Sequence, residues 1–159
     1  MDKTKLIQIL KEQIKKDLLA AVTAAQNTYD IATHEENKAE NKYDTRGLEA
    51  SYLAGAQAQR AQDIKMALAS FENVEIRNFS NSNRVALTAL VQVEQQEKII
   101  FLLLMPKGGG MTVIFEGVSV QVITPESPLG KNLIGKEVGE MVRISSGEKH
   151  RDYEILNLQ

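Results

Sequence analysis

The stretch Ala39–Tyr52, AENKYDTRGLEASY, decides how the first half of this chain is organised. It interrupts a long helical pattern at Asp44-Thr45-Arg46-Gly47. Asp and Thr favour turns and helix N-caps through their side-chain oxygens, and Gly relieves backbone strain. On both sides the sequence returns to helix formers. From Lys5 to about Lys42 there is no Pro or Gly, and Leu18, Val22, Ala25, Tyr29, Ala32, Ala39 and Tyr43 recur at heptad-like spacing, with Glu36 at the missing step. At ~1.5 Å per residue such a helix would reach ~55 Å, longer than a small core needs. A second helix is expected from about Leu48 to Glu72, with Leu48, Tyr52, Ala56, Ile64, Leu68 and Phe71 as apolar positions. Its Ala- and Gly-rich middle, AGAQAQRA, predicts a close approach of the two arms. A short connection favours antiparallel neighbours, so the reading is a helical hairpin over residues 1–73. Glu36, Glu40, Asp44 and Glu49 make its tip acidic, which suits insertion into a partner better than burial in a core.

Outside the hairpin the pattern changes. Glu72–Asn83 reads as a polar linker with a first short strand, and alternation from Arg84 reads as β structure. Lys98–Met105 is a buried strand closed by Pro106, Lys107-Gly108-Gly109-Gly110 a flexible hairpin loop, and Met111–Phe115 and Val118–Thr124 strands around a turn at Glu116-Gly117. In PESPLGKNLIGKEVG, Ser127 can cap a short helix with Pro128 at its first position, and Gly135 can end it. Strands return at Met141–Ile144 and Tyr153–Leu158 around Ser145–Glu148. Residues 74–159 are therefore a small antiparallel sheet domain with one short helix, and the chain as a whole is α+β.

Composition narrows the function. The 159 residues carry a net charge of −2, whereas a domain that grips free nucleic acid is usually basic. With no cysteine, disulfides, thiolate zinc sites and thiol catalysis are excluded. Lys and Glu split the N-terminal apolar runs, and Ile99–Met105 is too short to span a bilayer, so a cytoplasmic protein without a membrane partner is expected. His34 and His150 are too isolated for a metal site or a Ser-His-Asp set, and His34 reads as part of a solvated helix face. Lys107–Gly110 lacks the Lys-Ser/Thr of a P-loop. Lys3, Lys5, Lys11, Lys15 and Lys16 give the first helix a basic root, read as a solvated face or a patch beside RNA.

Ser127, Pro128, Leu133, Ile134, Gly135, Lys136, Gly139, Val142, Tyr153, Glu154 and Ile155 form a pattern that resembles the C-terminal domain of bacterial Gre transcript-cleavage factors. The order of the halves is similar as well. The resemblance implies an FKBP-like fold for residues 74–159, RNA polymerase as partner, and docking through Ser127, Pro128, Leu129, Gly135 and Lys136. It also implies a hairpin tip directed through the secondary channel at the polymerase active site, where tip carboxylates help hold a Mg²⁺ ion and backtracked RNA is cut near its 3′ end. Such a factor is not itself an enzyme and has no cofactor of its own; Mg²⁺ would be shared with the polymerase, and nascent RNA or DNA met only through it.

At the tip this chain departs from the family motif, which is close to Asp-Leu-Ser-Glu-Asn-Ala-Glu-Tyr. Anchoring on Asp44 puts Gly47 at the Glu; anchoring on Tyr52 puts Thr45 at the Asp and Leu48 at the Glu. Asp44, Glu49 and Glu40 are the candidate ligands, with Thr45, Arg46 and Gly47 beside them. Two readings stay open: a tip that completes a metal site, or an acidic plug that modulates elongation without efficient cleavage. Two other function classes are a structural coiled-coil adaptor and a peptidyl-prolyl isomerase, the latter suggested by the implied fold alone.

Overall fold

Two long helices come first, where uninterrupted helix formers predict them. The computed structural model describes residues 1–33, 46–147 and 149–159, with the backbone alone for Arg46, Ser146 and Lys149. Helix α1 is Lys3–Thr33 and α2 is Arg46–Asn73. Arg46 and Gly47, expected in the turn, are already helical; Asp44 and Thr45 lie outside the described residues.

Six strands follow: β1 (Leu90–Gln95), β2 (Lys98–Leu104), β3 (Thr112–Phe115), β4 (Val118–Ile123), β5 (Met141–Ser146) and β6 (Lys149–Leu158). The short helix α3, Pro128–Leu133, lies between β4 and β5 in sequence. The sheet order is β3-β4-β2-β1-β6-β5. It differs from the expected all-antiparallel sheet in one pair, since β2 and β4 run parallel with Phe101 opposite Val120. The connection Met105–Gly117 allows this, because β3 runs back along the outer edge of β4 and turns the chain round. Lys107–Gly110 is therefore not a hairpin loop.

Strand β1 starts at Leu90 rather than near Arg84, and 74–89 holds no strand. The alternation stops where Thr88 takes φ +69 and its Oγ1 accepts from the Arg77 N–H at 3.0 Å. Val85 is buried and exchanges backbone bonds of 2.8 Å with Lys136 and Gly135. The polar stretch read as a linker is anchored too: Asn81 Oδ1 accepts from the Leu158 N–H at 3.0 Å.

The chain forms two compact units, residues 1–11 with 70–159, and residues 12–69. The expected boundary at 73/74 coincides with the end of α2, but both helix roots group with the sheet. In the first unit one face of the sheet carries Val91, Val93, Leu102, Leu104, Tyr153 and Ile155 in a core that includes Leu133 of α3. Leu6, Ile7, Leu10 and Phe71 are buried as well. Lys3, assigned to the basic root, is only 7% exposed. Its ammonium donates to the carbonyls of Arg77 and Gln159 and stands 4.9 Å from the centroid of the Phe79 ring.

In the second unit Leu18, Val22, Ala25 and Tyr29 of α1 and Ser51, Ala54, Gly55, Ala58 and Ala61 of α2 line a groove of about 590 Å³. From Leu18 to Ala32 the seam expected on α1 is thus the face toward α2, and Ala39 and Tyr43 lie outside the described residues. On α2 the facing stripe is the small-residue one, and Leu48 and Tyr52 are exposed, at 56% and 73%. The expected close approach does not occur at Gly55, where an added Cβ would meet nothing within 4 Å.

Candidate functional site

Helix α3 and the turn after it hold the residues implied in docking. Ser127 is the N-cap, with extended backbone at φ −66, ψ 150. Its Oγ accepts from the Gly130 N–H at 3.0 Å and donates to the Thr124 carbonyl at 2.7 Å, so the hydroxyl is committed within the loop. Pro128 fits the first helical position, where its missing N–H costs nothing. Gly130 is required sterically: a Cβ there would lie 2.0 Å from the Thr124 carbonyl oxygen. Leu129 is partly buried against the core, while Pro128, Ile134 and Gly135 are exposed. Gly135 takes φ +80, which glycine adopts without strain.

The segment then meets a charged cluster. Lys136 Nζ donates to Glu140 Oε1 at 2.8 Å, the Glu137 N–H donates to Glu140 Oε2 at 2.7 Å, and Arg84 Nη2 lies 3.0 Å from Glu137 Oε1. The Lys136 bond, followed by that from Glu137, holds the Glu140 carboxyl below its ordinary range. Ile134, Gly135 and these four charged residues line a depression of about 390 Å³. Sequence reasoning found Gly135 and Lys136 and missed Arg84, Glu137 and Glu140. The opposite-sign run Lys136-Glu137 with Glu140 one turn on was a signal; Arg84, remote in sequence, gave none.

At the tip, Glu40, Asp44 and Thr45 lie outside the described residues. Gly47 and Glu49 stand in the first turn of α2, where a carboxylate is favoured by the helix dipole. Among the described residues no group of three His, Asp or Glu side chains could hold a metal ion. His150 Nδ1 lies 3.0 Å from Ser145 Oγ on the exposed β5–β6 ladder, and His34 is outside the described residues. Phe115 and Tyr153 of the sheet unit are buried. Among the described residues no helix is long and apolar enough to cross a membrane.

Comparison with known proteins matches residues 112–159 to the family described as "Transcription elongation factor, GreA/GreB, C-term". A transcription elongation factor GreA from Neorickettsia sennetsu is 27% identical over 96% of this chain and 87% of its own length. Another, from Thermodesulfovibrio yellowstonii, is 29% identical over 89% of this chain and 80% of its own. Among solved structures, GreA factor homolog 1 of Thermus thermophilus aligns over 98% of this chain and 93% of its own, at 17% identity and a TM-score of 0.37. The family match, which includes α3, and the curated relatives along most of the chain together support a member of the Gre-type transcription elongation factor family.

Proposed function

We propose that this chain binds RNA polymerase at the secondary channel, docks through the surface around Pro128, Ile134, Gly135 and Lys136, and directs the tip around Asp44 toward the polymerase active site. The observation that carries the docking assignment is the exposed, internally braced α3 segment beside the Arg84–Glu137 and Lys136–Glu140 pairs, inside the region matched to the GreA/GreB family. A surface whose loop is already fixed by Ser127 and Gly130 loses little conformational entropy on binding.

The tip is read as an acidic plug that shifts elongation. Glu49, in the first turn of α2, is one of the tip carboxylates on which this reading rests. A Mg²⁺ ion engaged there belongs to the polymerase, whose hard, oxygen-seeking chemistry a tip carboxylate could supplement. The chain's own part is to place negative charge and exclude water, without a catalytic group of its own. Cytoplasmic residence follows from that partner.

The test pairs binding with function. Purified polymerase should bind the wild-type chain, and Lys136→Glu should weaken binding while leaving the fold intact, because the Lys136–Glu140 pair is a surface one. Stalled, backtracked elongation complexes should change elongation rate with the protein present, without efficient release of cleaved RNA. Failure to bind polymerase would overturn the reading and favour a coiled-coil adaptor.

A further inference from the structure

The three-glycine loop Lys107–Gly110 has no part in the proposed docking or tip chemistry, yet it is packed tightly at both ends. A Cβ on Gly108 would lie 2.9 Å from the Phe71 ring, in the last turn of α2. One on Gly109 would lie 3.0 Å from Thr124 Cγ2. The Gly110 N–H donates to the Val122 carbonyl at 2.9 Å, which holds the loop along the end of β4. Thr124 in turn anchors the docking segment. Its carbonyl accepts from Ser127 Oγ at 2.7 Å and from the Ser127 N–H at 3.0 Å, and it faces Gly130 with no room for a methyl. A contiguous path of close contacts therefore runs from Phe71 through Gly108 and Gly109 to Thr124, and on to the cap of α3.

Resting on the docking reading above, we propose that Gly109 and Thr124 are positioning residues, which hold the polymerase-docking segment Ser127–Lys136 in register with the last turn of α2. Gly108 and Gly109 are needed because each brings main chain to a distance that an ordinary side chain would widen. Crowding at Gly109 displaces Thr124, and every hydrogen bond on the Thr124 carbonyl moves with it. Close-packed interiors transmit such a displacement instead of absorbing it.

Gly109→Ala is a clean probe, since Gly109 lacks the positive φ that strains its neighbours Gly108 and Gly110 on substitution. In the full chain it should accelerate hydrogen exchange at the Gly130 and Lys131 amides, both bonded to Ser127, relative to Val93 at the sheet centre. It should also weaken polymerase binding roughly two- to thirty-fold, the range of coupling through packed contacts. Thr124→Ser removes the crowded methyl, so the double variant Gly109→Ala/Thr124→Ser should recover both readouts. Unchanged exchange at Gly130 and Lys131 in Gly109→Ala overturns the coupling, as does uniform acceleration that includes Val93. Faster local exchange with unchanged polymerase binding overturns the positioning role. Wild-type failure to bind polymerase defeats the functional reading instead, and the exchange measurement still decides the coupling.

Discussion

The Lys3 ammonium donates to the main-chain carbonyl of Gln159 at 3.1 Å, joining the first turn of α1 to the residue after β6. Burial pushes Lys3 down to about 8 from an ordinary 10.5. Below about 8 the folded and unfolded chains both carry the proton, and the folded chain bears the full cost of desolvating it. Between about 8 and 10.5 the unfolded chain holds the proton more strongly. Stability should therefore rise with pH over that window, by at most roughly 1.4 kcal/mol per pH unit. Denaturant titrations at several pH values should show this rise in the wild type and not in Lys3→Met; parallel profiles would refute it.

Leu6, Leu10 and Phe71 group with the sheet, so the helix roots support it. Leu6→Ala should cost roughly 2–5 kcal/mol, the range for a fully buried leucine, and the loss should appear in the exchange of sheet amides. A fragment of residues 74–159 lacks these side chains and should bind a hydrophobic dye. A fragment that keeps sharp, native-like sheet resonances would show that the roots are dispensable.

The α3 cap gives a graded pair of substitutions. Ser127→Ala removes one capping oxygen and should cost about 1 kcal/mol. Gly130→Ala drives a methyl into the Thr124 carbonyl and should exceed the ~1–3 kcal/mol of ordinary overpacking, because backbone must move. Thermal melts should rank the two in that order.

Asp44 separates the two readings of the tip. If it is a metal ligand, Asp44→Asn should abolish stimulated cleavage and leave polymerase binding nearly intact, and Gly47→Glu, which restores the family spacing, should raise cleavage. The plug reading adopted above predicts only modest shifts in elongation rate from either change. That reading rests on sequence: Arg46, two residues after Asp44, brings a positive charge that works against a cation at the tip. Robust wild-type cleavage of backtracked RNA that disappears in Asp44→Asn would reverse the assignment.

The helices and the cap of α3 were legible because local signals set them: uninterrupted helix formers, and Ser-Pro before an apolar face. What the sequence hid was long-range. Leu6, Ile7, Leu10 and Ile14 form a buried stripe, but they sit among lysines, and the apolar spacing is more regular from Leu18 onward. Strand β6 begins at Lys149, before its apolar part, because pairing with β5 carries the charged residues Arg151 and Asp152 into the ladder. The parallel β2–β4 pair depends on which edge β3 occupies, which no local pattern encodes. Of the charged cluster beside α3, Lys136 was visible and Arg84 was not, since Arg84 is brought there by the long-range Val85 backbone bonds with Gly135 and Lys136.

Strand β6 is the last in sequence but lies inside the sheet, between β1 and β5. On a ribosome, β5 emerges with no neighbour to pair with, and β1 has only β2 beside it until Lys149–Leu158 has been made. Residues 1–11 wait still longer for the surface they help to cover. The sheet unit therefore closes only once β6 is available, a late, slow step dominated by contacts between distant parts of the chain. Helix α2 needs no such delay, so a nascent chain would carry formed helix well before it carried a closed sheet.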